Sequence, residues 1–444
     1  MATTRNPSGA CNTLAFVSED VQDRPSVREL AALAVPGLIV GIMSGLLLVV
    51  INKLSHGLEH VLWETLPHRL GIDPDAAGWI IGILTATGLA VGLVVWLAPG
   101  NAGEDTATTH LVGKPMPLSA LPGIGIALIL GLAGGVSLGP EMPAIAIAVG
   151  LGLWVARKVA PKAAPETIVM IGVAGVLGAL FGSPVAAALL LTEILGSLKR
   201  GGILWDRMFA PLVAAASASV VAVYFREDLV LPQLPDYELT NPVDLLSGSV
   251  IAVVAAAIGV LAAIAFPIFH KVLHSLRHPV VYLGVGGLLL GVLGVIGGPI
   301  TLFKGANQSV QLVEEADTIS AGQMALIAFV KILALLVAAA ASFRGGRIFP
   351  AMFIGIALGL LVHDLVPGIP QTLAVCAATL GMVMAVARDG WLALFMAAVL
   401  AGGGEILVPL CVIILPTWLV VAHAPEMIVR TPKVTAEPAD AAVT

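Results

Sequence analysis

The chain is a succession of apolar runs, near residues 31–52, 77–98, 121–156, 167–197, 208–225, 244–269, 280–299, 321–342, 348–367, 371–400 and 405–423. Few folds accept such a pattern. About 20 apolar residues span a bilayer as one helix. In lipid every backbone N–H and C=O must be satisfied inside the protein, so an open sheet or a loose loop cannot face the acyl chains. Charged residues are 11% of the sequence, where soluble domains carry about 25%. The fold class expected is therefore an all-α polytopic membrane protein. Several runs exceed one span, and others are crowded with Gly and Pro, at 134–143, 297–299 and 345–350. These read as tilted, broken or re-entrant helices, tolerated where protein or a water-filled cavity covers the backbone.

The net charge is −6, yet the cations cluster between runs: Arg157, Lys158 and Lys162; Lys199, Arg200 and Arg207; Lys271 and Arg277. Such clustering is a topology signal, and no nucleic-acid partner is expected. Residues 1–29 are polar, with Arg24 and Arg28 before the first run, and no small-residue cleavage site follows a short apolar stretch. The first span is expected to stay as a membrane helix with a cytoplasmic N-terminus, in a multi-pass protein of the cell (inner) membrane. The expected organisation is a polar segment 1–29, a transmembrane domain 30–430 and a short polar tail 431–444 that leaves no room for a regulatory domain. Cys11, Cys376 and Cys411 are far apart, without disulfide or zinc spacing. No cofactor or metal is expected, and Cys376 and Cys411 read as small core residues.

One charge interrupts the apolar stretch from Leu121 to Trp154, and it is Glu141, within Gly135-Val-Ser-Leu-Gly-Pro-Glu-Met-Pro143. A charge at bilayer depth costs roughly 2.5–3.5 kcal/mol on insertion scales and persists mainly where it lines a polar pathway. The surrounding Gly and Pro can break a helix and leave a free N-terminus inside the membrane, whose N–H groups attract an anion or a carboxylate in its place. Glu141 thus reads as an ion gate that occupies the site when charged and leaves it when protonated. The alternative is a carboxylate locked as a helix cap.

A repeat is visible. Gly139-Pro-Glu-Met-Pro143 and Gly346-Arg-Ile-Phe-Pro350 each place Pro four residues after Gly, offset by 207. Pro143 to Pro184 is 41 residues and Pro350 to Gly390 is 40, an offset of 206 at the second landmark. Interrupted helices at matching places in two halves point to a transporter with its site near the midplane. The halves are expected at about 77–225 and 281–424, and the pattern leaves their relative orientation open.

At these residues the chain resembles CLC-type chloride channels and proton-coupled anion antiporters, in a divergent bacterial branch of ion-transport proteins. The resemblance covers roughly 30–430. It is carried by Leu121–Pro143, by Phe181-Gly-Ser-Pro-Val-Ala-Ala-Ala-Leu-Leu-Leu-Thr-Glu193, and by Gly345-Gly-Arg-Ile-Phe-Pro350. It implies inverted repeats, a homodimer with one ion path per subunit, and helix N-termini aimed at the anion. Carried over by motif, the gate is Glu141, and the anion-binding segments are Gly139, Pro140, Met142 and Pro143 with Gly346, Arg347, Ile348 and Phe349. The departures are specific. The basic residue before the gate is Pro140, and the glycine after it is Met142. The segment that should carry a central serine is best matched by Gly103–Ala107, where Glu104 and Asp105 are the candidate replacements, and next by Gly113–Pro117. Met427 stands near the place of the missing central tyrosine, and the proton-relay position after Glu193 is Ile194.

Other readings of these residues stay open. Glu193 fits an interfacial carboxylate paired with Lys199–Arg207, or a proton route. Asp105 fits a helix cap as well as a pathway residue. Arg344 and Arg347 fit structural pairing, Arg347 with Asp389 for instance, or a positive charge beside the anion. Ser183 reads as a capping serine. The function expected is transport of a small inorganic anion, chloride or fluoride, as a channel or proton exchanger in the lipid bilayer. The same fold could move a cation or another solute. An intramembrane enzyme is disfavoured, since no His-Glu-x-x-His, Gly-x-Ser-x-Gly or Gly-x-Gly-Asp occurs.

Overall fold

The structure is a computed structural model that describes residues 25–197, 203–227, 229–402 and 404–430. Lys199, Arg200, Cys11, most of the N-terminal segment and the tail from 431 lie outside the described residues. The described chain is helical: α1 (Val27–His60), α2 (Leu66–Leu70), α3 (Ala77–Leu97), α4 (Leu121–Ala133), α5 (Glu141–Val159), α6 (Pro165–Leu180), α7 (Pro184–Ser197) and α8 (Leu204–Tyr224) form the first part. The second part comprises α9 (Val243–His274), α10 (Pro279–Gly297), α11 (Ala306–Glu314), α12 (Ala321–Ala340), α13 (Ile348–Leu365), α14 (Gln371–Ala387), α15 (Gly390–Leu400) and α16 (Leu407–Val421). Among the described residues, eight helices are long and apolar enough to cross a membrane.

Local chemistry sets the boundaries. Ser26 opens α1 with a reciprocal capping box to Glu29, and Ser320 opens α12 in the same way with Gln323. The runs 121–156, 167–197 and 371–400 each divide in two, into α4/α5, α6/α7 and α14/α15. The breaks fall at Gly134–Pro140, Gly182–Ser183 and Arg388–Asp389, where Gly135, Gly182 and Arg388 are left-handed. Ser183 Oγ accepts from the Val185 N–H, and Asp389 caps α15 through the Leu392 N–H at 2.7 Å.

The two parts match helix for helix: α3 with α10, α4 with α12, α5 with α13, α6 with α14, α7 with α15 and α8 with α16. The correspondence extends to α1 and α9, outside the expected halves. Both reversals before α5 and α13 follow the same path, with Gly135 and Ser342, 207 residues apart, both left-handed (φ 88° and 63°). The matched helices α3 and α10 pack directly on each other through glycines. Gly88 abuts Leu283, Gly92 abuts Pro279 and Val280, Gly287 abuts Leu84, and Gly291 abuts Ile81. As one number rises the other falls, so equivalent helices run antiparallel. A two-fold relation that reverses membrane-crossing helices has its axis in the membrane plane, which makes this an inverted repeat.

The core is built of Ala, Val, Leu and Gly on α5, α6, α13 and α14, and Cys376 sits within it. Cys411, expected in the core, is exposed on α16 among Val408, Val412 and Leu415, because this face of the helix packs on no other described element.

Candidate functional site

The two interrupted segments meet at the centre. Gly139 and Gly346 pair as an isolated antiparallel bridge, N–H to O at 2.8 Å and 2.7 Å in the two directions. Immediately beyond the bridge, α5 and α13 begin, and their first N–H groups have no partner within the helix. Glu141 is the first residue of α5 and is fully buried. Its side chain folds back over the bridge and accepts a hydrogen bond through Oε1 from the Phe349 N–H at 3.2 Å, with the N–H groups of Ile348 and Glu141 itself close by. Oε2 has no hydrogen-bond partner among the described residues. Gly139 and Gly346 leave the space that the carboxylate fills, since a Cβ on either would collide with it. Phe349 packs against Phe181 with ring centroids 6.0 Å apart.

A cavity lies on each side of this point. One, of about 400 Å3, is lined by Met142, Glu193, Arg347, Ile348, Asp389 and Met427, on the side where α7 and α14 end. The other, of about 240 Å3, is lined by Asn52, His56, Glu227, Lys304, Asn307 and Phe349, where α1 and α8 end. Ile348 therefore faces one cavity and Phe349 the other.

Arg347 is buried and its guanidinium donates to the carbonyls of Thr106 and Met427. It thus joins the segment 103–107 to the segment around Met427. Its Nε is buried without a partner among the described residues. Phe266 offers its ring face 5.4 Å away. Arg347 does not pair with Asp389. The carboxyl of Asp389 instead lies within hydrogen-bonding reach of Glu193, and both border the larger cavity. Pro140, Met142 and Pro143 sit in the first turn of α5 or just before it, and Met142 and Pro143 also border a small space beside Glu104 and Gly345.

Glu104 and Asp105 part company. Glu104 Oε2 accepts from the Lys114 N–H at 3.2 Å. Asp105 starts a turn, accepting from the Ala107 N–H at 2.9 Å through Oδ1, and caps no helix. Its other oxygen faces His270 and His274 of α9, at 3.7 and 3.9 Å. Burial opposes its charge, but His270, the Ala107 N–H, Ser342 and the nearby Arg344 outweigh it and hold the Asp105 carboxyl at about 2. Arg344 spends its donors on the carbonyls of Asn101, Ala102 and Ser342.

Two lysines escape the reading from sequence. Lys304 lies near Glu141, its ammonium 5.8 Å from the Phe349 ring. Burial pulls its pKa down, while the charges of Glu141, Glu59 and Glu227 push it back up. Lys331, the one charge in the apolar α12, is fully buried and donates to the carbonyls of Thr301, Leu302 and Phe303 at 2.9, 3.0 and 2.8 Å. It ties down the turn that presents Lys304. Lys331 had a visible signal, a lone cation inside an apolar run. Lys304 had none, because a lysine at the end of a run looks like any interfacial anchor.

The model of the voltage gated chloride channel family matches residues 86–421. The chain belongs to that family. It is 45% identical over 410 residues to the "Putative ion-transport protein YfeO" of Escherichia coli (strain K12 / DH10B), covering 92% of this chain and 97% of the relative. Among solved structures, a slow cyanobacterial Cl-/H+ antiporter superposes with TM-score 0.75 at 17% identity, covering 91% of this chain and 97% of that one. A CLC-type fluoride/proton antiporter gives TM-score 0.66 at 20% identity, covering 91% and 98%. At these identities the structural likeness establishes the CLC fold of this multi-pass ion-transport family member.

Proposed function

We propose that this protein carries a small inorganic anion, chloride or fluoride, across the cell membrane as a channel or proton-coupled exchanger, with Glu141 as its gate. The observation that carries the reading is the Glu141 carboxylate at the N–H groups opening α13, between two cavities. Free helix-start N–H groups bind negative charge. A carboxylate held there when ionised competes with an anion for the same donors, and protonation weakens its hold. The positive groups flanking the site, Lys304 on one side and Arg347 on the other, favour an anion and disfavour a cation on the same path. The Cl-/H+ and fluoride/proton antiporters that share the fold support the same substrate class. Glu193 and Asp389, facing each other at the larger cavity, supply a proton entry that bypasses Ile194.

Flux in liposomes, measured separately for chloride, fluoride and protons, tests this. Glu141→Gln keeps the shape and drops the charge, so flux should lose its pH dependence. Glu141→Ala should open the site and raise passive anion flux. Unchanged flux and pH dependence in both folded variants would make Glu141 a structural cap. The reading includes a homodimer, formed through apolar faces of α8 and α16 that carry Val220, Val223, Val408 and Leu415. The particle mass in lipid nanodiscs should correspond to two copies, and a stable single copy in lipid removes the dimer.

A further inference from the structure

Asp105, His270 and His274 each turn one ligand atom toward a common point. The three lie within 4.8 Å of one another. His270 and His274 are one turn apart on α9, so they share a face. Each imidazole's availability is set by its neighbours. His274 Nδ1 lies 3.1 Å from the His270 carbonyl, which accepts its proton and leaves Nε2 with the lone pair. A bond of this kind, from the other ring nitrogen to a backbone carbonyl, is how metal-ligating histidines are oriented. His270 Nε2 is buried and has no hydrogen-bond partner among the described residues. Asp105 uses Oδ1 on the Ala107 N–H, which turns Oδ2 toward both rings. The 3.7 and 3.9 Å from Oδ2 to the two Nε2 atoms are a few tenths of an ångström longer than the separation of about 3.4 Å between tetrahedral zinc ligands. Ser342 Oγ stands 3.2 Å from His274 Nε2, and a cavity of about 510 Å3 opens beside the group, giving room for a fourth ligand and an entry route.

We propose that Asp105, His270 and His274 form a binding site for a divalent transition cation of the zinc class. Two imidazole nitrogens and one carboxylate oxygen match a borderline metal, whereas magnesium and calcium call for oxygen ligands. The charged and titratable groups about the site are Arg344, Arg347 and Tyr282, with Glu104 lining the same cavity. Arg344 and Arg347 are the opposing charges, and both guanidinium groups donate to carbonyls, Arg344 to those of Asn101, Ala102 and Ser342 and Arg347 to those of Thr106 and Met427. Tyr282 stacks on the His274 ring at 4.4 Å. No metal spacing shows in the sequence because the third ligand comes from a loop 165 residues before His270 (270 − 105).

The position gives the ion leverage. Asp105 precedes Thr106, whose carbonyl holds Arg347 and whose hydroxyl donates to the Phe343 carbonyl. Ser342 belongs to the reversal that leads to Gly346 and Arg347. A metal would therefore tie the end of α9 to both segments that position Arg347, and slow transport by restraining them. This second step rests on the proposed anion path, while the site itself does not.

Calorimetric titration of the purified protein with zinc chloride at pH 7.5 tests the site. One binding event per chain is expected in the wild type, absent with magnesium chloride, lost in the double variant His270→Gln/His274→Gln, and weakened about tenfold or more in Asp105→Asn. Cobalt(II) should give the visible absorption of a four-coordinate complex in the wild type alone. Both readouts need only folded protein, checked by a single monodisperse peak. Absence of zinc binding in the wild type, or a site that survives the double variant, overturns the proposal. In liposomes zinc should slow anion flux of the wild type and spare the double variant. Binding without slowing would refute the restraint and keep the site, and a wild type with no anion flux at all would count against the transport reading instead.

Discussion

At the residue scale, four of the buried charges are answered by backbone dipoles. Glu141 faces N–H groups, Lys331 faces carbonyls, and Arg344 and Arg347 also end on carbonyls. None of these is a simple ion pair, which suits a membrane interior where each unsatisfied backbone group costs free energy. Lys331 is the cleanest case, since its three donors meet three carbonyls. Lys331→Met fills a similar volume but leaves those carbonyls bare, so a loss of about 2–3 kcal/mol is expected. Thermal unfolding in detergent reads it, and an unchanged midpoint would mean that water or a rearranged turn already satisfies the carbonyls. Legibility at this scale followed chemistry. Glu141 stood out in the sequence because a lone carboxylate in an apolar run is costly. Asp105 stood out only as a cap or pathway residue, and His270 and His274 not at all, because only the fold assembles the three.

At the element scale, the two helix starts work as a unit because Gly139 and Gly346 are bridged and bare of side chains. The 207-residue offset and the broken helices were legible, since Gly and Pro mark interruptions directly. The orientation of the repeat was not legible in the spacing, which is the same for parallel and inverted copies, and came from the family resemblance alone. The antiparallel seam of α3 on α10 bears out the inverted arrangement that the resemblance implied. The glycines at the two places predict different outcomes. At Gly346 an added Cβ meets the Glu141 carboxylate, which can swing away, and the Glu141 Cβ at 3.0 Å, which asks only a few tenths of an ångström of the neighbouring turn. Gly346→Ala should therefore stay folded and displace the carboxylate, raising passive flux and flattening its pH response as Glu141→Ala does. A Gly346→Ala protein that keeps wild-type flux would show that the carboxylate does not rest over the bridge. At Gly287 the added atom meets the Leu84 carbonyl, part of a helix backbone that cannot yield locally, so Gly287→Ala should lose folded protein on size-exclusion chromatography.

At the scale of the whole molecule, charge separates the two faces that the inverted repeat creates. α1 and α8 run parallel, Gly37 against Ala210 and Gly41 against Ala214, so their starts share a side with the end of α3. The end of α3 meets the start of α10, and with it the end of α9. That side carries Arg28, Arg157, Lys158, Lys162, Arg207, Lys271 and Arg277. The opposite side, where α1 and α8 end and α3 begins, carries Glu59, Glu64, Asp73 and Asp75 with fewer cations, Lys53, Arg69 and Arg226. Lysine and arginine in short loops stay cytoplasmic. On that rule the larger cavity, with Glu193, Asp389 and the proposed metal site's neighbour Arg347, is expected to open to the cytoplasm and the cavity with Lys304 outward. In a background without Cys11, Cys376 and Cys411, Asp75→Cys should react with a membrane-impermeant maleimide on intact cells, and Lys162→Cys only after the membrane is opened. The reverse pattern would invert the protein in its membrane. It would place Lys304 on the cytoplasmic side of Glu141, and with it the direction from which an entering anion first meets the gate.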